Sequence, residues 1–463
     1  MSTVIVRSLG PRRRARLWGP EHPFLEDACL FILGAAGGYS VNLVGALPGG
    51  EILALLFLPM LLLSRGKRAF DRQYLWFYVL TLGWFLGTQI ADEVNGIAAF
   101  NRAKGTARVV FFFIDFIALA ILINNETRKF IVFALGIVAV MLFSAKQYAG
   151  DTNVAFKFGA SSVIIILSLL GASYFYGKKR YRIAIGISFA LMLLNLNFAF
   201  RSQVAIILVS AVLTLPLFTN YGKGYGRGNP VGHNLVRVCG LLIFALGSAY
   251  VANQLIKYAA SRGFYEESTQ AKFEQQSSGK LGVLFGGRPE TLVAIQAIRD
   301  RPILGHGSFA ADIHYLELQQ QLQYEYGYSD SDTTADVDFY PVIPTHSHLT
   351  MAWVESGILG GVLWIYILVL TVRAIFRVAV TRPNLAPLYA YLLVNFVWDI
   401  LYSPFGSVNR MVGAYLVLLS YHLLRTPVSG PQAAGPRKPA LLQARVVARK
   451  RYLTPGLAHG LRR

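Results

Sequence analysis

The chain has 463 residues, 54% of them hydrophobic and only 15% charged, with a mean hydropathy of +0.46. Soluble domains carry about 25% charged residues, so a soluble protein of this composition would expose a large apolar surface, and that class is excluded. A membrane β-barrel is excluded as well, because the apolar runs are continuous rather than alternating. Lysine and arginine (44) exceed aspartate and glutamate (24) by 20, which reads as the positive-inside bias of cytoplasmic loops and not as a nucleic-acid surface.

Residues 1–27 are a basic N-terminus carrying Arg12, Arg13, Arg14 and Arg16. The stretch from Glu21 to Asp27 separates those arginines from the first apolar run, which argues for a retained first span rather than a cleaved signal peptide. Hydrocarbon about 30 Å thick needs roughly 20 apolar helical residues. Windows of that size predict about twelve transmembrane helices, at residues 28–47, 51–64, 74–91, 107–124, 130–147, 158–177, 182–199, 203–219, 236–257, 349–372, 385–402 and 408–425. The fold expected is therefore an all-α polytopic membrane protein. The segments this topology assigns to the cytoplasm hold 30 of the 44 lysines and arginines, and every short one is basic. With twelve spans both termini face the cytoplasm. The tail over residues 426–463 is rich in Pro, Gly, Ala and Arg and reads as disordered and attracted to anionic lipid. Cys29 and Cys239 both lie in apolar runs, so neither a disulfide framework nor a cysteine metal site is available.

One segment breaks the regularity. Between spans nine and ten, residues 258–348 read as a large non-cytoplasmic loop, which holds twelve of the chain's 24 acidic residues. A segment this long between spans is usually functional. Helical patterns run over 289–300 and 309–325, and Gly305 and Gly307 mark a tight turn between them. The acidic stretch 329–338 reads as a solvated strip, because its carboxylates lack the glycine and terminal-glutamate spacing of a calcium loop.

Polar groups in or beside a bilayer are costly, which makes them functional candidates. Arg201 lies between two spans on the non-cytoplasmic side, where positive charge is otherwise scarce. Arg288 follows Gly286-Gly287 and precedes Pro289 at the start of a loop helix, where a helix N-terminus and a guanidinium fork together suit an anion. Two such arginines on one face suit a diphosphate; the bland alternative pairs each with a nearby carboxylate. His346 and His348 sit where the loop returns to the membrane. Either is a base able to take a proton from a hydroxyl near neutral pH, or a plain interfacial histidine. His306 and His314 add to a conceivable zinc cluster, but no carboxylate or cysteine completes a ligand set, and no metal is expected. Glu355, in the tenth span, is placed to orient a histidine or pair with an arginine. Asp115 and Asp399 are intramembrane, so a partner is expected for each; Arg102, Lys104 and Arg410 are further candidates. Asp92-Glu93 is a weak acidic pair, since adjacent helical residues point in different directions. Walker A, dinucleotide and Gly-x-Ser-x-Gly motifs are absent, and no cofactor is expected.

These features together resemble the O-antigen ligase and O-antigen polymerase (Wzy-like) superfamily of membrane glycosyltransferases. Arg201-Ser202 is similar to that family's Arg-Ser pair at the periplasmic end of a mid-chain span. Gly287-Arg288-Pro289-Glu290 followed by Ile303-Leu304-Gly305-His306-Gly307 is similar to its loop element. His346-Ser347 with Glu355-Ser356-Gly357 and Gly360 downstream is similar to its loop-end histidine and following helix. Ser347 stands where the family more often has Asn, and the spacing to Gly357 favours His346 over His348 in that role. The resemblance implies transfer, at the periplasmic face of the bacterial inner membrane, of a glycan from undecaprenyl diphosphate to a sugar hydroxyl. His346 would be the base, Arg201 and Arg288 would neutralise the leaving diphosphate, and Ser202, His348, Glu355 and His306 would support them. It further implies metal-independent, inverting chemistry and partners such as a flippase and a chain-length regulator. The acceptor is a second lipid-linked glycan in a polymerase or lipid A core in a ligase; polymerase is the leaning. A twelve-span secondary transporter is the reading from another class, but it calls for two related halves, and no internal repeat is found.

Overall fold

The computed structural model describes residues 23–43, 45–144, 155–198, 200–215, 290–326 and 342–425, with single positions between 240 and 262. Thirteen α-helices occur among them: α1 Pro23–Ala36, α2 Gly49–Arg65, α3 Leu75–Val94, α4 Ala99–Ile123, α5 Thr127–Ser144, α6 Ser161–Gly177, α7 Tyr181–Asn197, α8 Arg201–Thr214, α9 Glu290–Asp300, α10 Ile313–Glu325, α11 His348–Thr381, α12 Ala386–Tyr402 and α13 Ser407–Arg425. Gly49–Arg68, Ala99–Ile123 and His348–Thr381 are long and apolar enough to cross a membrane, and α6, α7, α8 and α12 are shorter apolar helices. The expected ninth span, Arg288, most of Cys239's run, the acidic strip 329–338 and both chain ends lie outside the described residues.

Two expected spans are corrected. The window 28–47 is not one helix: α1 stops at Ala36, and a hairpin of β1 (Ser40–Asn42) and β2 (Ala46–Pro48) follows. Gly37-Gly38 offers no side chain to hold a helix there, and Pro48 favours the extended conformation it adopts before α2 (φ −62°, ψ 141°). The window 349–372 is not continuous either, because α11 breaks at Gly357 (φ 63°, ψ −155°).

That break is a reversal. In a straight helix His348 and Trp364 would lie about 24 Å apart at 1.5 Å per residue. Their rings are 4.9 Å apart. A Cβ on Gly360 would overlap the carbonyl oxygen of Ala352, and one on Gly361 would come within 2.5 Å of the Trp353 ring. The chain therefore runs inward to Ser347, rises to a tip at Gly357, and turns back along the first limb. Glycines at 360 and 361 let the second limb lie directly against the Ala352 backbone and the Trp353 ring of the first.

The core lies where α3, α4, α11 and α13 meet. Phe77 stacks on Phe116 at 4.0 Å, and Phe112 on Trp364 at 5.8 Å, with Trp84 and Phe405 edge-on around them. α1 crosses α5 closely, because Gly34 and Gly136 each face a backbone carbonyl of the other helix, the small-residue contact favoured between helices in lipid. The segments assigned to one side of the membrane meet at one end of the bundle. Glu26 pairs with Arg65 and Lys129, Asp27 with Arg128, and Asp71 with Arg425 at 2.7 Å. At the opposite end lie the Gly357 tip, the end of α3, the start of α4 and the loop helices α9 and α10.

Candidate functional site

The loop between α9 and α10 docks on the Gly357 tip. Gly305 (φ 77°) and Gly307 (φ 90°) adopt left-handed backbone, which glycine enters without a Cβ penalty. The turn they make aims consecutive amides at α11: His306 N–H donates to Val354 O at 2.7 Å and Gly307 N–H to Glu355 O at 3.0 Å, while Ile358 N–H donates to Ile303 O at 3.1 Å. These three bonds satisfy groups that the break at Gly357 takes out of the helical ladder.

Charged side chains then tie this joint to α3 and α4. Arg108 donates to Glu355 in a pair whose side chains are 5% and 11% exposed. The Phe309 ring lies 4.5 Å from the Arg108 guanidinium, and the Phe309 amide donates to the other Glu355 oxygen at 3.4 Å. Asp92, at the end of α3, accepts from Ser308 N at 2.6 Å and Ser308 Oγ at 2.9 Å. Thr88 and Ser356 share a hydroxyl–hydroxyl bond of 2.9 Å. Arg301 and Asn95 are bonded, and Asn95 Nδ2 donates to Gly305 O at 3.2 Å. Of the two acidic neighbours, Asp92 grips the loop, whereas Glu93 points outward to Arg102 at 2.7 Å. Beside this joint, Gln89, Ile97, Arg102, Thr106 and Val110 line an open groove of about 580 Å³ between α3 and α4.

The expected pairing of Glu355 with an arginine is met by Arg108, not by Arg201 or a histidine. Arg108 gives little signal in the sequence: it is a single cation near the start of the apolar window 107–124, with no acidic residue one helical turn away.

A second polar assembly surrounds the last turns of α12. Tyr391 OH donates to Gln203 Oε1 (2.9 Å), and Gln203 Nε2 to Asn395 Oδ1 (3.1 Å). Asn395 Nδ2 and Ser403 Oγ both donate to Asp399, each at 2.8 Å. The Ser347 hydroxyl caps α11 by accepting from Thr350 N at 3.0 Å and donates to Ile400 O at 2.9 Å. From Asn395 to Ile400 is about 7.5 Å along the helix axis. Hence Arg201-Ser202, at the start of α8, and His346, just before α11, come to the same end of α12 from two flanking helices. Both Arg201 and His346 are half-buried.

The remaining candidates have structural surroundings. His348 is 2% exposed, its ring packed against Trp364 and Phe405 at 4.9 Å each. His306 is buried; its Nε2 meets Ala297 O at 2.9 Å and its ring stands edge-on to Tyr315. Burial lowers the His306 pKa below the ordinary histidine value, the Ala297 carbonyl opposes this, and Arg301 adds to it. Tyr315 donates to Asp300 at 2.7 Å, and burial raises its phenol pKa. Asp399 has the partners expected of an intramembrane carboxylate, but Asp115 has no hydrogen bond among the described residues. Among those residues no group of three or more histidine, cysteine or acidic side chains is gathered as a metal site.

No protein-family model and no curated protein matches this chain.

Proposed function

We propose that this protein is a multi-pass bacterial inner-membrane glycosyltransferase with about twelve spans and cytoplasmic termini. It transfers a glycan from undecaprenyl diphosphate to a sugar hydroxyl at the periplasmic face, in surface-polysaccharide polymerisation. The observation that carries the reading is that the neighbours of His346 and of Arg201-Ser202, Ser347 and Gln203, both bond to the second half of α12, away from the basic end of the bundle. In that arrangement the His346 imidazole takes the proton of the attacking hydroxyl, a role worth about 10²–10⁴ in rate. The hydroxyl oxygen bonds to the anomeric carbon as the bond from that carbon to the diphosphate oxygen breaks. Arg201, joined by Arg288 from the long loop, neutralises the departing diphosphate, where a low dielectric magnifies the effect. The docked turn at Gly305 and Gly307 fixes the loop to the Gly357 tip, and the Arg108–Glu355 pair anchors it. The loop's acidic residues and the basic opposite end fit the assigned sidedness.

The test is reconstitution of the full chain in proteoliposomes with lipid-linked repeat units, reading chain length on gels. Chain growth is expected from the wild type and is expected to be lost in Arg201→Ala, Arg288→Ala and His346→Ala proteins that still insert and fold. Growth that appears only when lipid A core is added assigns the ligase acceptor instead. Normal growth in any of the three variants removes that residue from the mechanism, and no transfer to either acceptor by the folded wild type refutes the reading.

A further inference from the structure

Asp115 lies in the apolar half of α4 and is 0% exposed, and neither of its carboxyl oxygens has a hydrogen-bond partner among the described residues. A buried ion pair from two other helices stands beside it. Glu51, in the first turn of α2 and also 0% exposed, accepts from Arg410 Nε at 2.6 Å and Nη2 at 2.5 Å, with Arg410 coming from the first turn of α13. The Phe111 ring, one turn before Asp115, covers the guanidinium at 5.8 Å. Among the described residues, Glu51 and Arg410 are the charged groups that bear on Asp115. Neighbouring α3 offers α4 the aromatic rings of Phe77 and Trp84.

The charge count does not balance if all three groups are ionised: two carboxylates face one guanidinium. The Arg410 fork is already matched bidentately by Glu51, the stronger geometry for a guanidinium and a carboxylate. A third ionised group would leave an unbonded carboxylate far from water, which costs several kcal/mol per ion even after relaxation. One proton on Asp115 brings the cluster to neutrality.

We infer that Asp115 is an intramembrane proton-binding site, a carboxylic acid held neutral beside the Glu51–Arg410 pair and able to replace Glu51 as the counterion of Arg410. When Glu51 loses its charge, Asp115 releases its proton to solvent and the guanidinium turns to it, so the cluster stays neutral in either state. The ligand is the proton, and the device is independent of the proposed sugar chemistry.

The experiment is infrared difference spectroscopy on the purified full chain in detergent at neutral pH, subtracting Asp115→Asn from wild type. The difference is expected to contain the carbonyl stretch of a protonated carboxyl and no carboxylate band. In a Glu51→Gln background the same subtraction is expected to yield the carboxylate band instead. Asp115→Asn, the nearest neutral replica of the acid, is expected to fold and melt like the wild type. A carboxylate band in the first subtraction overturns the inference. So does an acid band that persists without Glu51, and so does failure of Asp115→Asn to fold, which would mark a needed negative charge.

Discussion

Glu355→Gln is the sharpest probe of the joint between the loop and the membrane helices. The substitution keeps the shape of the side chain and removes its charge, leaving the Arg108 guanidinium, 5% exposed, without a counter-ion. Removing one partner of a buried pair costs about 3–5 kcal/mol, because the other charge stays buried and uncompensated. The Phe309 ring, 4.5 Å from the guanidinium, is present in both proteins and cancels in the difference, so the expected loss stays at about 3–5 kcal/mol. Arg108→Met, which strips the opposite charge, falls in the same range. The double variant carries neither charge of the pair, so it is expected to be more stable than the sum of the singles predicts, by about 1–3 kcal/mol. Equilibrium unfolding in detergent micelles gives the three free energies. Hydrogen exchange adds a local readout, since the His306 and Gly307 amides donate to Val354 and Glu355 carbonyls and are expected to lose protection in both single variants. Additivity within about 0.5 kcal/mol, or a single variant costing under about 1 kcal/mol, refutes the claim that this pair holds the loop down.

Three further outcomes follow from the same geometry. Gly357→Ala puts a Cβ into the carbonyl of Ile303 at a backbone angle that costs about 1–2 kcal/mol by itself, so the yield of folded protein in size-exclusion profiles is expected to collapse. Gly105→Ala drives a Cβ into the Ser308 side chain; Ser308→Gly is expected to restore stability to that variant, and Ser308→Ala is not, because its Cβ stays at 2.5 Å. His306 is held below its ordinary pKa of about 6.5, so the undocked loop binds a proton that the docked loop refuses. Docking is then complete above about pH 6.5 and weakens as the pH falls, by at most about 1.4 kcal/mol per unit. Limited proteolysis at pH 7.5 and 5.0 checks this, and His306→Gln is expected to abolish the difference.

Much of the fold was legible as apolar length. The runs behind α3, α5 to α8, α12 and α13 were found within a few residues, because burying about 20 apolar side chains in succession leaves few alternatives to a helix. The loop helices α9 and α10 are legible as helical patterns over 289–300 and 309–325, and the turn between them as Gly305 and Gly307. Hydropathy windows failed at Gly37-Gly38 and Gly357 for one reason: averaging over a span dilutes a single glycine, and a helix break does not change how apolar the segment is. Gly357 with Gly360 and Gly361 was the readable sign of a reversal, since close limbs need side-chain-free positions.

The sequence by itself determined that this chain is helical and apolar, because hydrocarbon tolerates only backbone that bonds within its own helix. Only the tertiary structure decided the partners: Arg108 finds Glu355 across 247 positions and Arg410 finds Glu51 across 359, while Asp115 finds none among the described residues. Hydropathy is a property of each residue alone, whereas the neutralisation of a buried charge depends on what another helix brings beside it.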